Sequence, residues 1–138
     1  MIRRPNPSTL IASPTDVVDL GGRVAGATFI VGAKSGNTRP IAVQLVDGQG
    51  KDIAARAAVQ IAVLADANGD AFAATGGSTG IAVGTDGALL PIVAKKLFMA
   101  ISEADGDIDL TWTDTASEVA YLAVIVGGKL SISAALTN

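Results

Sequence analysis

In Asp105-Gly106-Asp107-Ile108-Asp109-Leu110-Thr111-Trp112-Thr113, an acidic-glycine corner runs straight into a strict alternation. Ile108, Leu110 and Trp112 fall on one side; Asp107, Asp109, Thr111 and Thr113 fall on the other. A side-chain period of 2 belongs to a β-strand with one face packed and one face wet. The Asp-Gly pair before it suits a tight turn, because Gly reaches φ > 0 freely and Asp bonds its own backbone. Three more corners of this kind stand upstream: Asp47-Gly48, Asp66-Ala67-Asn68-Gly69-Asp70 and Asp86-Gly87. Each lies between runs of Val, Ile, Leu and Ala. Short apolar segments joined by turns at this rhythm predict an all-β chain, an antiparallel β-sandwich or barrel.

The remaining strands read outward from there. Ile41, Val43 and Leu45 alternate with Ala42, Gln44 and Val46, and residues 57–65 place Val59, Ile61 and Val63 on one face. Residues 23–31, 89–93 and 97–101 add three more strands. Residues 119–126 are apolar on both faces, as a central strand covered on two sides should be. Gly127-Gly128 then turns the chain into residues 129–137, where Leu130, Ile132 and Ala134 oppose Ser131, Ser133 and Ala135. The count is roughly seven or eight strands and no helix in the body. Gly76-Gly-Ser-Thr-Gly80 is expected to be a mobile loop at one end, and Tyr121 to share the core with Trp112.

Composition narrows the chemistry. The 138 residues contain no Cys and no His, which removes disulfides, thiolate nucleophiles, zinc-thiolate sites and every histidine-based catalytic arrangement. The expectation is a protein that is not an enzyme and has no cofactor and no metal site. Hydrophobic residues make up 49% and charged residues 17%, against the quarter charged that is usual in soluble domains. A surface with so little charge predicts a chain that covers itself with other subunits, a homo-oligomer.

Charge is unevenly placed. Residues 1–39 hold five basic side chains against Asp16 and Asp19, a balance of +3, and residues 40–138 hold five basic and eleven acidic groups, a balance of −6. The net −3 argues against sequence-independent nucleic-acid binding. The chain divides into residues 1–38, a Pro-containing N-terminal arm and first strand, and residues 39–138, the β-domain. Pro5, Pro7 and Pro14 deny the arm amide donors, so it reads as extended, with one helical turn over residues 15–20 stopped by Gly21-Gly22. Arg3, Arg4, Pro5 and Pro7 form a candidate partner-binding arm on an acidic body. Met1-Ile2-Arg3-Arg4 starts like a signal peptide, but prolines follow where an apolar core should be. The longest apolar runs are too short to span a bilayer, so no membrane partner is expected.

Four motifs approach known sites without completing them. Gly26 to Gly32 with Lys34-Ser35 imitates a phosphate loop, but Ala33 breaks the spacing. Asp66-x-Asn68-x-Asp70 and Asp105-x-Asp107-x-Asp109 match the first half of a calcium loop. Both lack the sixth-position Gly and the twelfth-position Glu. Glu103, Asp105 and Asp107 could form a looser cation corner, against the plainer role of acids that keep strand edges soluble. Glu118 and Tyr121 near Asp114 could be called a proton-transfer set, although nothing places them in a pocket.

The stretch Ile41-Ala-Val-Gln-Leu-Val-Asp-Gly-Gln-Gly-Lys-Asp-Ile-Ala-Ala-Arg-Ala-Ala-Val-Gln-Ile-Ala-Val-Leu-Ala-Asp66, with Val83-Gly-Thr-Asp-Gly87 and Ser102-Glu-Ala-Asp-Gly-Asp-Ile108, resembles small structural proteins of tailed bacteriophages. The resemblance covers about residues 39–138. It implies an antiparallel β-sandwich, immunoglobulin-like or jelly-roll-like, carrying an extended N-terminal arm. It also implies a virion role at the capsid surface after synthesis in the host cytoplasm: decoration or cement of a major capsid protein, with a homotrimer expected at a three-fold site. The same pattern of corners is shared with immunoglobulin-like modules of bacterial adhesins, so a tail, fibre or adhesin binding module is the alternative. A small carboxylate-using hydrolase or lyase is a third reading.

Overall fold

The computed structural model describes residues 23–138. Arg3, Arg4, Pro5, Pro7 and the helical turn expected at residues 15–20 lie outside the described residues. Among those described, nine strands follow in order: β1 Gly26–Val31, β2 Thr38–Val46, β3 Ala58–Leu64, β4 Gly80–Val83, β5 Ala88–Val93, β6 Leu97–Ile101, β7 Asp107–Thr113, β8 Tyr121–Val126 and β9 Lys129–Ile132. No described residue is helical. The strand beyond the expected count is β4, four residues paired with β7 from Gly80↔Thr113 to Val83↔Leu110. It is too short for an alternation to show in sequence.

All pairings are antiparallel and build two sheets, β1-β2-β7-β4 and β5-β6-β3-β8-β9. The first order matches A-B-E-D of an immunoglobulin sandwich, and β3-β8-β9 match C-F-G, with the β5–β6 hairpin added at the edge. The chain is therefore a two-sheet antiparallel β-sandwich with an immunoglobulin-like strand order, departing from it in that the extra hairpin comes between the D-like β4 and the E-like β7. Its lone Trp stands on β7 instead of the third strand.

Register explains why the sheets face each other as they do. Ile41 pairs with Leu110 and Val43 with Ile108, so the alternations of β2 and β7 point their apolar sets the same way. Val59, Ile61, Val63, Phe98, Leu122 and Val124 meet them from the other sheet, and all of these side chains are buried. Each is worth about 1.5–3 kcal/mol when fully removed from water.

Three local expectations are corrected. Residues 76–80 are not a mobile loop: Gly76, Gly77 and Gly80 are buried, and the Gly76 carbonyl accepts the Trp112 indole N–H at 3.0 Å. The last strand is shorter than the expected residues 129–137 and ends at Ile132. Ser133 turns inward, its Oγ accepting the Leu122 amide at 2.9 Å, while Leu130 and Ile132 pair with Ile125 and Ala123 on the outside. Tyr121 does not share the core with Trp112. It pairs with Leu64 and packs on the outer cluster of Ala62, Leu64 and Ala123.

The two outer faces differ. On the four-stranded sheet, Thr28, Gln44, Asp107, Asp109, Thr111 and Thr113 face outward, a wet surface. Across the five-stranded sheet, Leu90, Met99, Gln60, Ile125 and Leu130 lie side by side in one row. Val93, Leu97, Ala62, Ala123 and Ile132 form the next. No charged residue is paired into either row.

Candidate functional site

The acids gather at one end of the wet sheet. Asp107 and Asp109 project from β7, and Asp86 reaches them from the β4–β5 turn, so that one carboxylate oxygen from each lies within 4.8 Å of the others. Backbone bonds hold the turn in place: the Asp109 amide donates to the Asp86 carbonyl at 2.9 Å, and the Gly84 amide to the Asp109 carbonyl at 2.6 Å. The Thr85 hydroxyl donates to Asp109 Oδ2 at 2.5 Å. This is not the expected set. Glu103 instead pairs with Arg56 at 3.2 Å and accepts the Gly87 amide, while Asp105 Oδ1 accepts the Asp107 amide. Those bonds hold the corners in place, and only Asp107 of the expected three joins the cluster.

Three carboxylates offer hard oxygen donors, but a calcium ion takes six to eight. Burial and mutual repulsion both act on the cluster. Partial burial raises the Asp107 carboxyl above its ordinary range, and Asp109, Asp105 and Asp86 add to the rise. A raised folded-state value means the folded chain holds its proton more tightly than the unfolded chain, so stability falls as pH rises past 3.8. Asp107→Asn is therefore expected to raise the melting temperature at pH 7, with the gain fading as pH falls towards 3.8. A thermal melt series across pH checks it, and a gain that persists undiminished in acid would count against the repulsion.

The other motif candidates are structural. Asp66 Oδ1 accepts the amides of Asn68 (2.8 Å), Gly69 (2.9 Å) and Asp70 (3.2 Å), a self-bonded turn. The amides of Asp70, Asn68 and Gly69 lower the Asp66 carboxyl pKa. In the phosphate-loop imitation, Ser35 and Thr38 exchange backbone bonds at 2.8 and 3.0 Å, so the loop spends its amides on itself. Burial works to raise the Glu118 pKa, but the Thr75 hydroxyl and the Thr75, Gly77 and Gly76 amides outweigh it and lower it. Asp114, itself buried, accepts the Ser78 and Glu118 amides. Glu118 and Asp114 thus pin residues 75–78 over Trp112, while Tyr121 lies on the outer face of the other sheet. They form no proton-transfer set.

An exposed apolar surface lies on the outer face of the five-stranded sheet, flanking the buried cluster of Ala62, Leu64 and Ala123. Leu90 is 67% exposed, and Val93, Ile101 and Leu130 are exposed with it. Ala88, Leu90, Met99 and Ile101 line a shallow apolar depression along the β5–β6 hairpin. Such a face has almost nothing with which to orient an ionic ligand, and it can bury area against another apolar surface. Comparison with protein-family models, with curated proteins and with solved structures finds no match.

Sequence reasoning missed this face. β8 is covered on both faces, as expected of residues 119–126, with Ala123 buried in an outer cluster with Ala62 and Leu64; the exposed apolar part lies beyond it, on the β5–β6 hairpin, where no alternation marked it. Only Asp86 was missed at the acidic end, because it arrives from a different turn.

Proposed function

We propose that this chain is a non-catalytic binding module, a bacteriophage virion structural protein of the capsid decoration or cement type. In this reading it is made in the host cytoplasm and binds the major capsid protein at the capsid surface as a homo-oligomer. The observation that carries the binding role is the uncharged apolar outer face of the five-stranded sheet. A contiguous exposed patch of that kind marks an interaction surface. The phage assignment rests on the resemblance of the strand and corner segments. A three-fold lattice position suits a trimer, and the face itself suits a two-fold pair.

The test is decoration of particles. Purified chain is mixed with capsids that lack it, built from the major capsid protein of the same genome, and bound copies are read by cosedimentation and negative-stain imaging. Saturable binding at a fixed ratio to capsid protein is expected. Binding to tails or fibres instead would move the module to the alternative role. Deleting residues 1–20 is expected to leave the melting temperature nearly unchanged yet weaken attachment. Arg3→Ala with Arg4→Ala should weaken it partly, and more visibly at low salt, where surface charge is least screened. Full occupancy by the truncated chain would assign attachment to the sandwich alone.

A further inference from the structure

We infer that the outer face of the five-stranded sheet docks against the same face of a second copy of this chain, as a two-fold pair. This deepens the binding-module reading by assigning one of its partners to the face. Charge favours this face. Residues 40–138 carry a balance of −6, so copies of the body repel in general. The sheet face is where they can meet with few like charges, because its rows through Gln60 and through Ala62 include no Asp, Glu, Lys or Arg, and the acidic turn at Asp66–Asp70 reaches it only beside Leu130 and Ile132.

Size agrees. Five strands spaced about 4.8 Å apart, with outward residues every ~6.8 Å along each, give a surface of roughly 24 by 20 Å. Two such faces offer on the order of 1,000 Å² at most, the size at which specific interfaces begin.

Two of the four edge strands, β5 and β1, are defended while this face is not. β5, an outer strand, carries Pro91, and its register with β6 shifts between Pro91 and Val93. Pro lacks the amide that strand addition needs, and a bulge twists the edge away. On the opposite sheet, the Ala27 amide of edge strand β1 is occupied by Ser131 Oγ at 3.2 Å. Pairing through strand addition is thereby discouraged at β5 and β1, which favours face-to-face contact.

Gln60 sets the register. It stands on β3, the middle strand of five, with Met99 and Ile125 as its cross-strand neighbours. Apart from the Tyr121 hydroxyl it is the polar group of the face. Its amide both donates and accepts, so a two-fold axis near it lets two copies satisfy each other. A single polar residue inside an apolar interface fixes alignment in the same way elsewhere.

Sedimentation equilibrium of the full chain at micromolar concentration tests this. Twice the 13.7 kDa chain mass is expected, undiminished in 1 M NaCl. Gln60→Glu sets two like charges against each other at the centre, and Leu90→Asp buries a charge at the hairpin. Each should weaken the dimer by roughly a hundredfold or more. Both residues are exposed, so native Trp112 emission should persist in the variants. Ile30→Asp, an equally drastic change at a 72% exposed position on the other sheet, should leave the dimer intact. A monomeric or trimeric wild type, dissociation by salt, or a dimer that survives both Gln60→Glu and Leu90→Asp overturns the inference. The particle assay separates the two proposals. A chain that dimerises through this face but never decorates capsids defeats only the capsid role, whereas one that decorates as a monomer gives the face to the capsid protein and defeats self-docking.

Discussion

Trp112→Ala is expected to lower the free energy of unfolding by about 3–5 kcal/mol, the range for removing a buried aromatic ring. Small domains hold only about 5–15 kcal/mol in total, so the variant should sit near the edge of folding. The ring is 0% exposed on β7, opposite Ile81 of β4, and its indole N–H is satisfied by the Gly76 carbonyl. Two contributions are therefore lost at once, packing and a buried hydrogen bond. Trp112→Phe separates them: most of the volume stays, while the Gly76 carbonyl loses its donor at a cost of about 1–3 kcal/mol. Denaturant unfolding of the three proteins measures both differences. Native emission from this single Trp should be blue-shifted. A solvent-like maximum, or a loss under 1 kcal/mol in the alanine variant, would mean that the core is not closed around β7.

Gly76→Ala is the second large effect, expected to cost at least about 3 kcal/mol. Gly76 has φ of 81°, and a Cβ there would stand 2.2 Å from the Lys95 carbonyl oxygen and 2.9 Å from the Lys95 Cβ. The hairpin turn between β5 and β6 lies directly against this backbone, so the clash has no flexible end to yield. Gly36→Ala is the matched control. Its φ is 62°, but nothing lies within 4 Å of the added carbon, so only the backbone penalty of about 1–2 kcal/mol remains. Thermal or denaturant melts of the pair isolate the close approach. Equal losses at both positions would show that Gly76 is kept for its dihedral alone.

These predictions also mark where local sequence stopped being informative. The Gly-Gly-Ser-Thr-Gly segment reads as flexible because glycine is permissive and its neighbours are polar. In the fold the same permissiveness lets the backbone press against Lys95 and Trp112, two distant parts of the chain. Arg39 behaves alike. It counted as charge for the N-terminal region, yet its guanidinium is spent on the carbonyls of Gly32 (2.9 Å) and Thr137 (2.6 and 3.0 Å). The expected calcium imitation at Asp105–Asp109 placed two acids of the cluster correctly, Asp107 and Asp109. The third, Asp86, comes from a turn some twenty residues earlier, and no spacing rule links them.

What the sequence by itself determined was the set of strands and the inward face of most of them. The period-2 runs of β2 and β7 and the odd positions of β3 need no partner to be read, since alternation is a property of the extended backbone. The acidic-glycine corners likewise carry their own turns, Asp66 bonding three amides of its own segment. What only the tertiary structure decided was the fate of the other side. β3 and β8 are apolar on both faces: one closes on the opposite sheet, and on the other Ala62, Leu64 and Ala123 are buried by neighbouring side chains, so that the open apolar surface lies out on the β5–β6 hairpin. The faces of β9 follow from the same cause: Ser133 satisfies a buried amide of β8, so Leu130 and Ile132 face outward. An apolar residue states that it can be buried, but whether it is covered depends on which sheet arrives opposite it, and that is settled only when distant strands pair.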